Sequence, residues 1–275
     1  MKTRSIGFIG GGNMATSLIS GLIASGYSPQ KIWVSDTNEA TLKSHAEHLQ
    51  VNTTVSNEVV IASVEVVVLA VKPQVLHEVA RQIAQLTQQK KVLIVSIAAG
   101  ISQYSLAQWL GDDVAIVRCM PNTPALVLTG ATVLHANQNV NNEQKDLAEN
   151  ILRSVGLALW VEDETQLDAV TAVSGSGPAY FFLLMEAMEK AALDMGLDER
   201  TARLLIQQTA LGAAKIALES TESPTLLRER VTSPGGTTQK AIETFQQNDF
   251  TGIVSKALHA ARIRSIEMSK QLGDN

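Results

Sequence analysis

A glycine-rich turn near the start of the chain constrains its fold more than any other feature. An apolar run at residues 6–9 leads into Gly-Gly-Gly-Asn-Met-Ala at residues 10–15, and a helical pattern of apolar residues follows. A strand that enters the pattern G-x-G-x-x-A and continues as a helix is typical of the first unit of a dinucleotide-binding α/β domain. The sequence therefore predicts such a domain, although a glycine-rich turn without a ligand is the alternative.

Each residue of this turn has its own expected task. Gly10 permits the tight turn, Gly12 lets the backbone approach a pyrophosphate, and Ala15 lets helix and strand pack closely. The helix that begins near Asn13 and Met14 attracts negative charge to its N-terminus. We predict that all five bind a dinucleotide cofactor.

The residues after the second predicted strand bear on the choice between NADH and NADPH. Asp36 follows the turn by about twenty residues, where a carboxylate bonds the ribose diol of NAD and repels a 2′-phosphate. Ser35, Thr37 and Asn38 offer neutral donors that suit a phosphate if Asp36 turns away. We predict that Ser35 and Asp36 bind the cofactor and leave both cofactors open; a cap on the next helix is the alternative for Asp36.

The alternation of short β-branched runs with helical patterns predicts an α/β Rossmann-type domain with a mostly parallel sheet over residues 1–163. Two near-continuously apolar runs, 64–71 and 92–96, are expected to be central strands covered on both faces. The predicted strands are Ser5–Ile9, Lys31–Ser35, Glu65–Val71, Val92–Ile97, Val114–Cys119, Ala131–Leu134 and Leu157–Val161.

Helical periodicity alone continues after the strands, and it predicts an all-α domain over residues 164–275. The helices expected at 179–195 and 199–219 are apolar around most of their circumference, unlike helices on the outside of a small domain. A second copy of the chain is the simplest cover for them. We therefore expect an intertwined homodimer.

Composition excludes several other classes of protein. The formal charge is −5 with acidic and basic residues interspersed, which predicts no nucleic-acid partner. The first residues lack the apolar stretch of a signal peptide, and charged residues interrupt the apolar helix at 179–195, so we expect a cytoplasmic protein with no membrane segment. Its single cysteine, Cys119, allows no internal disulfide, and the five dispersed histidines predict no metal site.

Three loops each follow a predicted parallel strand: Ala-Val-Lys-Pro-Gln at 70–74, Ser-Ile-Ala-Ala-Gly at 96–100 and Met-Pro-Asn-Thr-Pro at 120–124. Such loops line the ligand crevice of an open α/β sheet. Lys72 on its own is as well explained as a solvated surface lysine. We predict that residues of all three loops bind the cofactor: Ala70, Val71, Lys72, Pro73, Ala98, Ala99, Gly100, Pro121 and Asn122.

These loops, together with Val-Ser-Gly-Ser-Gly-Pro-Ala-Tyr at 173–180 and Val-Thr-Ser-Pro-Gly-Gly-Thr-Thr at 231–238, resemble those of the pyrroline-5-carboxylate reductases over essentially the whole chain. The resemblance implies reduction of 1-pyrroline-5-carboxylate to L-proline by NADPH or NADH, the last step of proline biosynthesis. It also implies a helical dimerisation domain, often assembled further into a decamer. Thr238 matches the position whose hydroxyl contacts the substrate ring nitrogen, so we assign it the catalytic role of polarising the substrate.

The glycine loop suits a substrate that carries a carboxylate. Gly235 and Gly236 allow successive backbone N–H groups to point at one spot, and a helix starting near Thr237 adds its dipole. We predict a substrate site made of Ser233, Gly235, Gly236, Thr237, Thr238 and, from the 173–180 motif, Ser176. An ordinary connection between two helices is the alternative for the loop, and a tightly packed helix start is the alternative for the motif.

Two other functions fit the same pattern. One is a reductase of another cyclic imine or of a small keto or hydroxy acid, since one fold accepts many substrates. The segment 174–180 contains no lysine, which weighs against the hydroxy-acid chemistry. The other is a non-catalytic dinucleotide sensor.

Overall fold

A single twisted sheet organises the first part of the chain. The computed structural model describes residues 4–273, and in that range eight strands form one sheet in the order β3-β2-β1-β4-β5-β6-β7-β8. The strands are β1 (Ile6–Ile9), β2 (Ile32–Ser35), β3 (Asn52–Thr54), β4 (Val66–Leu69), β5 (Leu93–Ser96), β6 (Ile116–Met120), β7 (Gly130–Ala136) and β8 (Gly156–Trp160). Every strand predicted from the sequence overlaps an observed one.

The strand pairing places the functional loops on one edge. Strands β1 to β6 all pair in parallel, whereas β7 runs antiparallel to β6 and β8 lies parallel to β7. Strand order reverses at β1, which has β2 on one side and β4 on the other. Ligands of open α/β sheets bind outside the carboxyl ends of the strands at such a reversal. The turn after β1 lies at this point.

Helices cover both faces of the sheet, as the apolar runs predict. All four residues of β4 and of β5 are buried. One apolar cluster joins one face to α1 and α6, and a second joins the other face to α3, α4 and α5. The helices of this part are α1 (Asn13–Ala24), α2 (Glu39–Leu49), α3 (Asn57–Ser63), α4 (Pro73–Lys90), α5 (Gln103–Leu110) and α6 (Asn142–Arg153).

Strand β3 was not among the strands predicted from the sequence. It has only three residues, Asn-Thr-Thr, all half-buried, and it pairs with β2 at the edge of the sheet. A run this short and polar shows neither alternation nor an apolar stretch, so periodicity could not find it. Pairing with β2 decides its conformation.

Only helices follow β8 within the residues that the structure describes, as predicted. Helix α9 has the predicted bounds, and α8 begins two residues before the predicted start. The helices are α7 (Gln166–Val170), α8 (Gly177–Asp194), α9 (Glu199–Glu219), α10 (Pro224–Arg230), α11 (Thr237–Gln247) and α12 (Phe250–Gly273), with a π-helical turn at Thr171–Gly175 between α7 and α8.

Packing divides the chain into two compact units. One runs to Ser176 and includes the segment from Ala260 onward, and the other is Gly177–His259. The division at residues 163/164 expected from the change in periodicity stays a prediction about folding domains, whereas this grouping describes packing.

Helix α8 leaves large apolar side chains uncovered in a single chain. Phe181, Phe182 and Leu183 are 66%, 64% and 65% exposed, although they are consecutive and so point to different sides of the helix. A surface of this kind marks an association site. None of the helices between residues 4 and 273 is long and apolar enough to cross a bilayer.

Candidate functional site

The turn after β1 is held tightly against the loop after β4. Gly10 has a φ of +98°, and a Cβ there would lie 2.7 Å from the carbonyl oxygen of Ala70. Its N–H donates to the carbonyl of Ser35 at 2.8 Å. Only glycine adopts this positive φ and fits this close to the Ala70 carbonyl without strain. The geometry at Gly10 is therefore that of a tight turn.

The start of α1 presents unused backbone donors. Gly12 is the N-cap, and no side chain caps the helix. Among the described residues, no acceptor bonds the N–H groups of Gly12, Asn13, Met14 or Ala15. A Cβ at Gly12 would have no protein atom within 4 Å, so the fold itself does not demand glycine at this position. Free N–H groups on an open surface at a helix N-terminus fit the pyrophosphate of a dinucleotide.

Asp36 faces the glycine turn. Its Oδ2 accepts from the Gly11 N–H at 2.7 Å and its Oδ1 from the Asn38 N–H at 2.8 Å. Helix α2 is capped by Asn38, whose side chain accepts from Ala40 and Thr41. The alternative role of Asp36 as that helix cap is therefore wrong, and its carboxylate lies beside the glycine turn.

The Ser35 side chain does not reach the surface. Ser35 is 1% exposed, and its Oγ donates to Oδ1 of Asn57 at 2.7 Å, so this hydroxyl is already used inside the protein. That Ser35 binds the cofactor stays a prediction, and its hydroxyl is engaged by Asn57 in this structure. Asn57, the first residue of α3, reaches the end of β2, and the sequence pattern did not predict this contact. Ser35 pairs with Thr54 of β3, and Asn57 follows three residues later at the start of α3.

The loops after β4, β5 and β6 lie on the same edge as the turn. In the first loop, the N–H of Ala70 donates to the carbonyl of Ile9. Val71 and Pro73 are half-buried, and the exposed Lys72 immediately precedes α4. In the second loop Ala98 and Gly100 are buried and Ala99 is half-buried. Gly100 has a φ of +75°, with Met268 and Leu272 of α12 packed against it.

The third loop is tied down by a side-chain amide. Pro121 is buried, and Asn122 accepts from Ala131 N–H at 2.8 Å through Oδ1 and donates to the Ser174 carbonyl at 3.0 Å through Nδ2. Asn122 thus holds the β6–β7 connection and the π-helical turn together. In this arrangement it supports the site through the backbone.

Ser176 follows the π-helical turn, and its N–H donates to the Thr171 carbonyl at 2.8 Å. Single π-helical turns are rare and frequent at functional sites. A Cβ at Gly175 would lie 2.4 Å from Cε of Met120, so a larger residue here would have to displace the end of that flexible side chain. Both the structural and the functional interpretation of the 173–180 motif remain compatible with this geometry.

The loop before α11 differs from the prediction in which of its backbone N–H groups are free. Gly235, at a φ of +72°, donates its N–H to Oε1 of Gln239 at 2.7 Å, and Gly236 donates its N–H to the Ser233 carbonyl at 3.0 Å. Both glycine N–H groups are engaged, so they are not the free donors that we predicted. The N–H groups of Thr237 and Thr238 have no acceptor among the described residues, and Gly236 caps the helix without a side chain.

Both threonine side chains at the start of α11 are exposed in the single chain, and their hydroxyls make no hydrogen bond within residues 4–273. The helix start therefore offers two backbone donors and two hydroxyls to a small anion. Elsewhere in the described range, no three His, Cys, Asp or Glu side chains come together as a metal site would need.

A doubly wound sheet with a glycine turn at its reversal point and free donors at α1 defines the class. The protein has a Rossmann-type domain with the features of the dinucleotide-binding proteins.

Comparison with known proteins identifies the family. A family profile described as pyrroline-5-carboxylate reductase dimerisation matches residues 164–268, and one described as NADP oxidoreductase, coenzyme F420-dependent, matches residues 5–100. The pyrroline-5-carboxylate reductase of Pseudomonas aeruginosa is 51% identical over 273 residues, which are 99% of this chain and 100% of the relative. That of Haemophilus influenzae is 46% identical over 269 residues, 98% of each chain.

Solved structures of pyrroline-5-carboxylate reductases also superpose on this chain. A pyrroline-5-carboxylate reductase from Coxiella burnetii superposes with a TM-score of 0.94 at 46% identity, covering 97% of this chain and 99% of the other. A Plasmodium falciparum pyrroline carboxylate reductase with NADP bound gives a TM-score of 0.87 at 28% identity, covering 98% and 99%. The chain belongs to the pyrroline-5-carboxylate reductase family, and its helical part contains a dimerisation domain, which indicates a homo-oligomer.

Proposed function

We propose that this protein reduces 1-pyrroline-5-carboxylate to L-proline by hydride transfer from NADPH or NADH, the last step of proline biosynthesis. The observation that carries the proposal is the match of the whole chain, in both its α/β and helical parts, to reductases of this name. A likeness confined to the sheet would support only a shared fold.

The substrate is a five-membered cyclic imine with a carboxylate, and the start of α11 suits both groups. The free N–H groups of Thr237 and Thr238 and the helix dipole attract the carboxylate. Ser233, Gly235 and Gly236 hold the loop in the shape that exposes these donors. Ser176 completes the proposed substrate residues.

Thr238 is the proposed catalytic residue. Its hydroxyl can donate to and accept from a ring nitrogen, which suits both the imine and the amine product. A protonated imine already carries the positive charge that makes its carbon accept hydride, so no strong acid is needed at that step. Positioning then supplies most of the catalysis, in keeping with the absence of His, Lys, Asp or Glu from residues 233–238.

The dinucleotide supplies the hydride when bound, and the chain's part is to hold it. The free donors of Gly12, Asn13, Met14 and Ala15 would bind its pyrophosphate, and Asp36 would meet the ribose beside the turn. The three loops that follow β4, β5 and β6, including Lys72, would border the rest of the cofactor.

Assembly and location complete the proposal. The exposed apolar side chains of α8 are expected to be buried in a homodimer, with a decamer as the further assembly. The interspersed charge and the apolar helix with its charged residues support a cytoplasmic protein without nucleic-acid or membrane partners.

The decisive experiment measures oxidation of NADPH and of NADH at 340 nm by the purified protein, with and without pyrroline-5-carboxylate. We expect oxidation that depends on this substrate and yields proline. Binding of the dinucleotide without any turnover would indicate a sensor. Turnover only with a different imine or with a keto acid would indicate another reductase.

A further inference from the structure

A buried histidine of α2, His45, contacts the backbone of the glycine turn on the side that faces α2. His45 is 4% exposed, and its Nε2 lies 2.9 Å from the carbonyl oxygen of Gly11 and 3.5 Å from Oγ1 of Thr16. A carbonyl oxygen only accepts, so Nε2 carries the proton and donates to Gly11. Helix and turn are close: a Cβ at Gly11 would lie 2.9 Å from Cγ2 of Thr41 and 3.1 Å from Nε2 of His45.

The other ring nitrogen is unsatisfied. Nδ1 of His45 is buried and has no hydrogen-bond partner. An unsatisfied buried polar atom destabilises a fold, and an apolar side chain of similar size would avoid that loss. Packing alone therefore does not account for a histidine at this position, whereas the hydrogen bond to Gly11 does.

That hydrogen bond fixes the direction of a donor on the opposite side of a peptide group. A trans peptide is planar, so the C=O of Gly11 and the N–H of Gly12 point in opposite directions. His45 holds this C=O toward α2, and the Gly12 N–H consequently points away from α2, where no described residue accepts from it. Asp36 holds the preceding peptide through the Gly11 N–H at 2.7 Å.

The hydrogen bonds of His45, Asp36 and Asn38 together link the glycine turn to α2 in a closed ring. The Asp36 carboxylate also accepts from Asn38, and Asn38 caps α2, the helix that carries His45. Both peptide groups of Gly11 are thereby held before any ligand arrives. Without the histidine, the peptide between Gly11 and Gly12 is free to rotate and turn its carbonyl oxygen toward the bound phosphates, which would repel them.

We propose that His45 is a positioning residue of the dinucleotide site, acting through Gly11 to aim the Gly12 N–H at the cofactor pyrophosphate. The inference rests on the dinucleotide site proposed above. It assigns to a buried side chain of α2 the alignment of a backbone donor in the glycine turn.

The test compares His45→Leu, which removes the donor, with His45→Gln, whose amide N–H can restore it. His48→Leu is the matched control, because His48 is exposed on the same helix and its ring bonds only the Ser44 carbonyl. Affinities for NADPH and NADH are measured by nucleotide fluorescence without substrate, alongside kcat, both KM values and Tm. His45→Asn, with a shorter amide, is a second variant in case the leucine variant is unstable.

We expect His45→Leu to weaken binding of both dinucleotides about five- to tenfold, the effect of one hydrogen bond. KM for the dinucleotide should rise equally, with kcat and the KM for the imine within about twofold of wild type, as expected for uniform binding. Tm should be unchanged or higher, because the unsatisfied nitrogen is gone. His45→Gln should recover most of the affinity, and His48→Leu should match wild type.

Wild-type affinity in His45→Leu, or in His45→Asn if only that variant folds, would overturn the inference. So would a lowered Tm with affinity intact, because it would indicate a purely structural role. Failure of the wild-type protein to bind either dinucleotide would instead overturn the proposed site itself, and the inference with it.

Discussion

Substitution of Gly12 by alanine should affect the stability of the fold and the binding of the dinucleotide differently. Gly12 has φ −70° and ψ −176°, an extended conformation that any residue adopts, and a Cβ there would have no protein atom within 4 Å. A compatible glycine-to-alanine change stabilises a protein by about 0.4–1 kcal/mol, because the unfolded chain loses freedom. Alanine is a poorer helix N-cap than glycine by a similar amount, which offsets this gain. At about 2–4 °C per kcal/mol for a protein of this size, Tm should therefore stay within about 4 °C of wild type.

The same methyl group should impair dinucleotide binding. It would stand where the pyrophosphate approaches the free donors of α1, and hydrogen bonds to charged groups contribute about 1.5–3 kcal/mol each. Loss of one such bond weakens binding by about ten- to a hundredfold. Gly12→Ala should therefore be a stable protein with poor affinity for both NADPH and NADH.

Gly10→Ala is the matched comparison. Its φ of +98° and the 2.7 Å approach of a Cβ to the Ala70 carbonyl oxygen should destabilise the fold by at least about 1–3 kcal/mol, a fall in Tm of several degrees. The assays are thermal unfolding and fluorescence titration with each dinucleotide. Wild-type affinity in Gly12→Ala, or a Tm more than about 4 °C below that of wild type, would refute the reasoning.

Three further predictions follow from the site and its surroundings. Thr238→Val should lower kcat/KM for the imine by about ten- to a hundredfold with Tm unchanged, since the hydroxyl has no partner within the described chain; wild-type steady-state kinetics would exclude the assigned role. Asp36→Ser should shift the ratio of NADPH to NADH affinity toward NADPH by roughly tenfold, through loss of charge repulsion with the 2′-phosphate, and an unchanged ratio would place the carboxylate away from the ribose. Burial, and secondarily the charge of Glu65, raises the pKa of Tyr27 to about 12 from its ordinary 10.0, so the folded state keeps the proton longer and the stability it contributes below pH 10 should be lost as pH rises from 10 to 12. Unfolding curves of Tyr27→Phe should lack that decline, and Tyr104→Phe, at an exposed position, should retain it.

Local sequence was sufficient where one segment sets its own structure. The glycine turn, with its preceding strand and following helix, was predictable because backbone conformation and apolar periodicity are encoded within about twenty residues. The buried runs of β4 and β5 and the bounds of α9 were equally clear, since each element shows its burial in its own residues. The fold class follows from the alternation of these elements.

Tertiary structure decided what depends on partners distant in sequence. Strand β3 pairs with β2, and the Ser35 hydroxyl bonds Asn57, 22 residues away. No pattern around His45 shows that its ring meets a carbonyl 34 residues away. Periodicity determines which face of an element is buried, but a hydrogen bond needs two atoms within about 3 Å, and only the packed chain determines which atoms meet.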